Sequence, residues 1–197
     1  RTIVVARKQD ELDTVKAEIE KAGGTCFTYS ADLAEMPACD ELVKKVLAEH
    51  ETVDVLINNA GRSIRRSVAL SYDRFHDFER TMGLNYFGSL RLIMGFLPSM
   101  TARRRGHIIN ISSIGVQASS PRFSAYVASR AALGAFSRCA QAEFSDQNIT
   151  FTTINMPLVR TPMIGPTKIY DSVPTLTPEE AADMIVEAII ERPSRVA

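Results

Sequence analysis

A chain of 197 residues with 45% hydrophobic content is long enough for one domain with a sizeable core, and too apolar to be disordered. Its 23 Lys and Arg balance 23 Asp and Glu, which argues against a nucleic-acid or polyanion binder. No apolar run approaches the roughly 20 residues that a bilayer-spanning helix needs, LIMGFL at 92–97 being the best.

Short β-rich runs alternate with longer helical patterns. TIVVA at 2–6 reads as a buried strand. In residues 10–22, Leu12, Val15 and Ile19 recur at helical spacing, and the glycines of AGG end the segment. TCFTYSA predicts a second strand, and residues 37–50, with Pro37 near the start, a second helix. VDVLIN at 53–58 is the third strand, followed by a loop and helical patterns over 71–104. GHIINIS at 106–112 is the fourth strand, residues 123–144 a long helix and ITFTTIN at 149–155 the fifth strand. Thr177 and Glu180 form a capping box that opens the last helix. The pattern predicts one α/β domain over 1–197, a doubly wound parallel sheet flanked by helices.

Ligand sites of such sheets lie beyond the carboxyl ends of the strands. There this chain places Arg7, then Asp32 in ADL, then NNAG at 58–61, then Ser112 and Ser113, then MPLVRTPM at 156–163. Three scattered cysteines (Cys26, Cys39, Cys139) and three isolated histidines show neither disulfide nor metal-ligand spacing. Reduced, partly buried thiols in a cytoplasmic protein and no metal are expected. The chain opens in mid-pattern at Arg1, so a missing leader is uninformative.

NNAG, then LNYFG with Asn85, then GHIINISS, then Tyr126 thirteen residues after Ser113, together resemble the short-chain dehydrogenase/reductase family along the whole chain. The resemblance implies a Rossmann-like fold and places Asn85, Ser113, Tyr126 and Arg130 at catalytic positions. Tyr126 would exchange the proton of the substrate oxygen, Ser113 would hydrogen-bond that oxygen, and Asn85 would hold a relay water. Asn59, Ala60, Gly61, Asp32, Leu33, Pro157 and Thr161 match positions along the cofactor. Arg7 matches members that pair the 2′-phosphate of NADP, a role suited to forked guanidinium contacts. Within the family, NNAGRSIRRS and the segments around SYDRFHDFERTMG and MPLVRTPMIGPTKIYDSVP resemble short-chain-type bacterial fatty acyl-CoA reductases. These reduce long-chain acyl-CoA to fatty aldehyde with NADPH.

Arg65 and Arg66 would then meet the coenzyme A phosphates or lie in a solvated loop. Met163, Ile164 and Ile169 would line an acyl tunnel or pack on the core. A homodimer or homotetramer is implied, pairing helices at 82–104 and 123–144 across subunits.

Two departures stand out. Arg130 occupies the lysine position of Tyr-x-x-x-Lys; it keeps the charge, but a planar guanidinium is not a compact ammonium, so impaired turnover is expected. No Gly-rich turn of the form T-G-x-x-x-G-x-G is present. The family strand that precedes it lies between strands one and three, and the domain is therefore expected to be incomplete at both ends, its first βα unit and last strand missing. The alternatives are a reductase of another apolar ketone or aldehyde, and a non-catalytic member serving as a binding or assembly subunit.

Overall fold

The computed structural model describes residues 1–165 and 167–196, without the side chains of Ile169 and Asp171. In order, the chain forms β1 (Thr2–Ala6), α1 (Gln9–Lys21), β2 (Cys26–Ser30), α2 (Met36–His50) and β3 (Val55–Asn58). After a long loop come α3 (His76–Met82), a π-helical turn (Gly83–Gly88), α4 (Ser89–Arg103) and β4 (Gly106–Ile111). The rest is α5 (Ile114–Ala118), α6 (Ser124–Glu143), β5 (Ile149–Ile154), α7 (Pro178–Glu191) and β6 (Arg195–Val196).

The strands make two parallel sheets, β1–β2 and β3–β4–β5–β6. Among the described residues, β1 and β3 each pair on one side only. An apolar layer bridges the two sheets: Tyr29, Cys39 and Val46 from β2 and α2 pack with Ile93, Phe96 and Met100 of α4 and Phe151 of β5. Because side chains alternate along a strand, Ile108 enters this layer while its neighbour Ile109 faces the other way, toward Ala181 and Ala188 of α7. The capping box of Thr177 and Glu180 is formed, and it starts α7 where the sequence places it.

Three local expectations change. The closing strand is present in part: Arg195 and Val196 pair with Thr153 and Ile154 of β5. Two residues carry no periodicity, so only their hydrogen bonds reveal them. Residues 71–104 are interrupted by a π-helical turn, and Cys139 is exposed, whereas Cys26 and Cys39 are buried.

His107 in β4 is fully buried. Its Nε2 lies 2.8 Å from Thr152 Oγ1, which itself donates to the Pro193 carbonyl, so the ring proton is assigned to Nε2 and Nδ1 is left without a partner. Burial, with Arg192 adding to it, pushes the imidazole pKa from 6.5 down to about 4. The unfolded chain therefore binds a proton at a higher pH than the folded chain, and stability falls as pH drops from 6.5 to 4. The loss across that window is about 3 kcal/mol. Chemical denaturation at a series of pH values is expected to show this slope, and His107→Gln is expected to flatten it.

Candidate active site

The carboxyl edge of the larger sheet is held by polar groups in its interior. Asn58 at the end of β3 donates to Asn110 of β4 (2.8 Å), and Asn110 donates to Ser137 of α6 (2.8 Å). All three are buried, and this ladder locks the β3 terminus to the helix that carries Tyr126.

Beyond β3 the chain runs through Asn59 and Ala60 to Gly61, where it nearly touches α6. A Cβ built on Gly61 would stand 1.9 Å from Arg130 Nη2 and 3.4 Å from Asn85 Oδ1. Only glycine admits that approach. Asn85 projects from the π-helical turn, a geometry that is common at functional sites. Its amide clasps the backbone of Arg62 from both sides, Oδ1 accepting from the N–H (2.8 Å) and Nδ2 donating to the carbonyl (2.9 Å). Nδ2 also donates to Ser129 Oγ (2.9 Å), which donates to the Tyr126 carbonyl (2.7 Å). A second close approach supports the turn: a Cβ on Gly88 would lie 2.0 Å from the Leu33 carbonyl oxygen.

Arg130 is 4% exposed. Its guanidinium carbon lies 5.7 Å from the centre of the Tyr126 ring. Its Nη2 lies 3.4 Å from the Ala60 carbonyl, while Nε and Nη1 have no hydrogen-bond partner among the described residues. Burial pushes the Arg130 pKa down, and Tyr126 opposes that shift. A buried cation with two donors left without partners among the described residues is costly, and an acceptor brought to it would relieve that cost. Hydroxyl groups of a nucleotide ribose fit that donor set.

Ser113 lies just past β4 and caps α5, its Oγ accepting from the Gly115 N–H (3.0 Å). That bond uses a lone pair, so the hydroxyl proton remains free to donate. Arg7 and Asp32 face each other across the ends of β1 and β2, Nη1 to Oδ2 3.9 Å, and both are well exposed. Such a pair is worth little, so it leaves Arg7 available to an anion. Asp32 also accepts from the Ala34 N–H (3.0 Å), shaping the turn.

The loop after β5 carries half-buried Pro157 and Thr161. Its base is clamped by Leu176, which donates to the Leu158 carbonyl (2.8 Å) and accepts from the Arg160 N–H (2.9 Å). Met163 is exposed and Ile164 half-buried, while the Ile169 side chain lies outside the described residues.

Two features escape sequence reading. Arg66 is already engaged, its Nε lying 3.2 Å from Asp77 Oδ2, whereas Arg65 keeps a solvent-exposed side chain without an ion pair among the described residues. Tyr170 is the other, stacked on Phe123 at the mouth of α6 (6.4 Å between ring centres). Burial raises the Tyr170 pKa and the nearby charge of Arg65 opposes the rise. Forty-seven residues separate the two rings, and no local pattern pairs them.

A family model described as short chain dehydrogenase matches residues 1–169. A fatty acyl-CoA reductase of Acinetobacter baylyi is 61% identical over 195 residues, covering 99% of this chain and 66% of that protein. A fatty acyl-CoA reductase of Mycobacterium tuberculosis is 50% identical over 196 residues, covering 99% of this chain and 67% of that protein. The chain thus spans about two thirds of the length of these relatives. The crystal structure of a metagenomic short-chain oxidoreductase in complex with NADP superposes with a TM-score of 0.82 at 26% identity, covering 100% of this chain and 84% of that one.

Gly61→Ala is expected to destabilise the protein, because a methyl at 1.9 Å must displace the buried guanidinium. The penalty is expected to shrink in an Arg130→Lys background, whose side chain lacks Nη2. A double-mutant thermal-melt cycle checks this, with a coupling of about 1 kcal/mol expected.

Proposed function

The chain belongs to the short-chain dehydrogenase family, and we propose that it works there as an NADPH-dependent reductase of a long-chain fatty acyl-CoA, releasing the fatty aldehyde. The observation that carries this reading is the Arg130 guanidinium, a buried cation whose Nε and Nη1 have no hydrogen-bond partner among the described residues, set against Gly61 and beside the Tyr126 ring. The substrate reading is supported by two relatives, at 61% and 50% identity, that bear the name fatty acyl-CoA reductase.

Arg7 would hold the 2′-phosphate, with Asp32 and Leu33 beside the adenine. Asn59, Ala60, Gly61, Pro157 and Thr161 would follow the length of the dinucleotide, and Arg130 would donate to the ribose. The nicotinamide, when bound, supplies a hydride to the carbonyl carbon. Ser113, its proton free, would hydrogen-bond the carbonyl oxygen and polarise it. Tyr126 would donate the proton that this oxygen takes up, with the Arg130 guanidinium carbon 5.7 Å from the centre of its ring. One hydride and one proton are consumed, and loss of the coenzyme A thiol leaves the aldehyde. Asn85 fixes the geometry by tying the Arg62 backbone to Ser129 and so to the first turn of α6. Arg65, whose charge acts on Tyr170 and which has no ion-pair partner among the described residues, would meet a phosphate of the coenzyme.

Fluorescence titration is expected to show tighter binding of NADPH than of NADH, and Arg7→Ala to cut that preference roughly tenfold or more. Equal affinity for the two would remove NADP selectivity. Tyr126→Phe is expected to lower kcat at least about a hundredfold with NADPH affinity kept. Arg65→Glu is expected to raise KM for the acyl-CoA and to spare NADPH binding. Arg130→Lys is expected to raise kcat; an equal or lower rate would show that the site suits the guanidinium.

A further inference from the structure

Between the candidate site and α3 the chain makes a loop that the catalytic reading leaves idle. Its two ends meet at one carboxylate. Arg66 Nε and Arg74 Nε both lie 3.2 Å from Asp77 Oδ2, while Arg80 bonds Oδ1 and His76 stands 3.4 Å from it. The Asp77 side chain is 4% exposed. Burial pushes its carboxyl up, but the bonds from Arg80 and Arg74 outweigh burial and hold the pKa at about 2, so the hub is charged at neutral pH.

Residues 66–74 thus form a closed surface loop, tied at its neck by ion pairs. Loops of this closed, self-packed kind are frequently functional.

The tip of this loop is apolar and faces solvent. Val68 is 58% exposed, Leu70 67%, Tyr72 84% and, just past the neck, Phe75 70%. Four large apolar side chains in eight residues are far more than isolated surface hydrophobics. Part of the tip's backbone is satisfied from within: Leu70 N–H donates to the Ser67 carbonyl, Ser71 N–H to Val68, Arg74 N–H to Ser71, and Ser71 Oγ to Ser67. Seated at the headgroup level, the remaining amides would stay within reach of water and lipid headgroups.

Its surroundings are cationic. The Arg66 N–H donates to the Arg122 carbonyl (2.7 Å), bringing the loop's base against the start of α6. Arg65, Arg66, Arg74, Arg80 and Arg122 outnumber Asp73, Asp77 and Glu79 in this region of a chain whose overall charge is zero.

We propose that the loop at 66–75 is a membrane-docking element that seats Val68, Leu70, Tyr72 and Phe75 at the surface of an anionic lipid bilayer. Aromatic side chains with a polar tip favour the headgroup level, and the excess of arginines over carboxylates beside the loop complements anionic headgroups. Neither feature alone would select this partner. The loop lies outside the two helices expected to pair across subunits, and it leads directly from the candidate site. Docking would hold the mouth of that site at the bilayer, where long-chain acyl compounds partition. The proposal does not rest on the substrate assignment, since its readout is lipid binding alone.

The test is co-sedimentation of the purified protein with vesicles of phosphatidylcholine alone, and of equal parts phosphatidylcholine and phosphatidylglycerol. The protein is expected to sediment with the anionic vesicles, not with the neutral ones, and added salt is expected to release part of it. A triple variant, Leu70→Ser with Tyr72→Ser and Phe75→Ser, is expected to bind at least about tenfold more weakly. Its thermal melt should stay close to the parent's, because the replaced side chains are mostly solvent-exposed and only the stacking of Phe75 on Phe78 is lost. Failure of the parent to bind anionic vesicles would overturn the proposal, as would equal binding by parent and variant. A drop in hydrodynamic mass on making the variant, with no vesicle binding by the parent, would assign the tip to a second copy of the chain instead.

Discussion

The candidate site depends on one constraint: a guanidinium has been taken into the interior with no carboxylate paired to it among the described residues. Arg130 reaches across from α6 to the loop after β3, where its Nη2 lies 3.4 Å from the Ala60 carbonyl. Removing a cation from water without compensation costs several kcal/mol, so everything nearby must either make room for it or share its field. Gly61 makes room and the Tyr126 ring shares the field. Nη2 reaches the Ala60 carbonyl, while Nε and Nη1 are buried with no hydrogen-bond partner among the described residues.

Rigidity around that charge comes from buried amides rather than from ion pairs. Asn58, Asn110 and Ser137 link two strands to α6, and Asn85 links the π-helical turn, the loop after β3 and Ser129. Each amide both donates and accepts, so one side chain can join three segments of backbone with little net charge to desolvate. Ser113 is fixed more simply, by the helix it caps, and this cap leaves its proton to spare. The polar groups that hold the edge of the sheet together are therefore the same ones that orient the groups with chemistry to offer.

Charge is handled differently at the surface. Three arginines that would repel one another are gathered on Asp77, a single carboxylate shielded from solvent. Pairs of this kind matter as a network, because the side chains are ordered once for several contacts rather than once for each. The result is a loop with a fixed neck and an apolar tip, standing next to a site whose arginines have other work. No helix among the described residues is long and apolar enough to cross a membrane, so contact with lipid would be made at the surface.

The sequence by itself determined the α/β alternation, the run of each main helix and the residues gathered at the carboxyl edge. These are written in local periodicity, in the capping box at Thr177 and Glu180, and in an ordered set of short motifs. It also identified Arg130 as the anomalous residue. Tertiary structure alone decided what that residue touches, since its contacts at Ala60 and Gly61 lie some seventy positions away. It likewise decided that Arg66 serves Asp77, that Tyr170 stacks on Phe123, and that Arg195 and Val196 pair with β5. In each case the partner is set by how separate segments are brought together in space. Spacing along the chain carries the periodicity of one element, and it carries nothing about which side chains two elements will bring within 4 Å of each other.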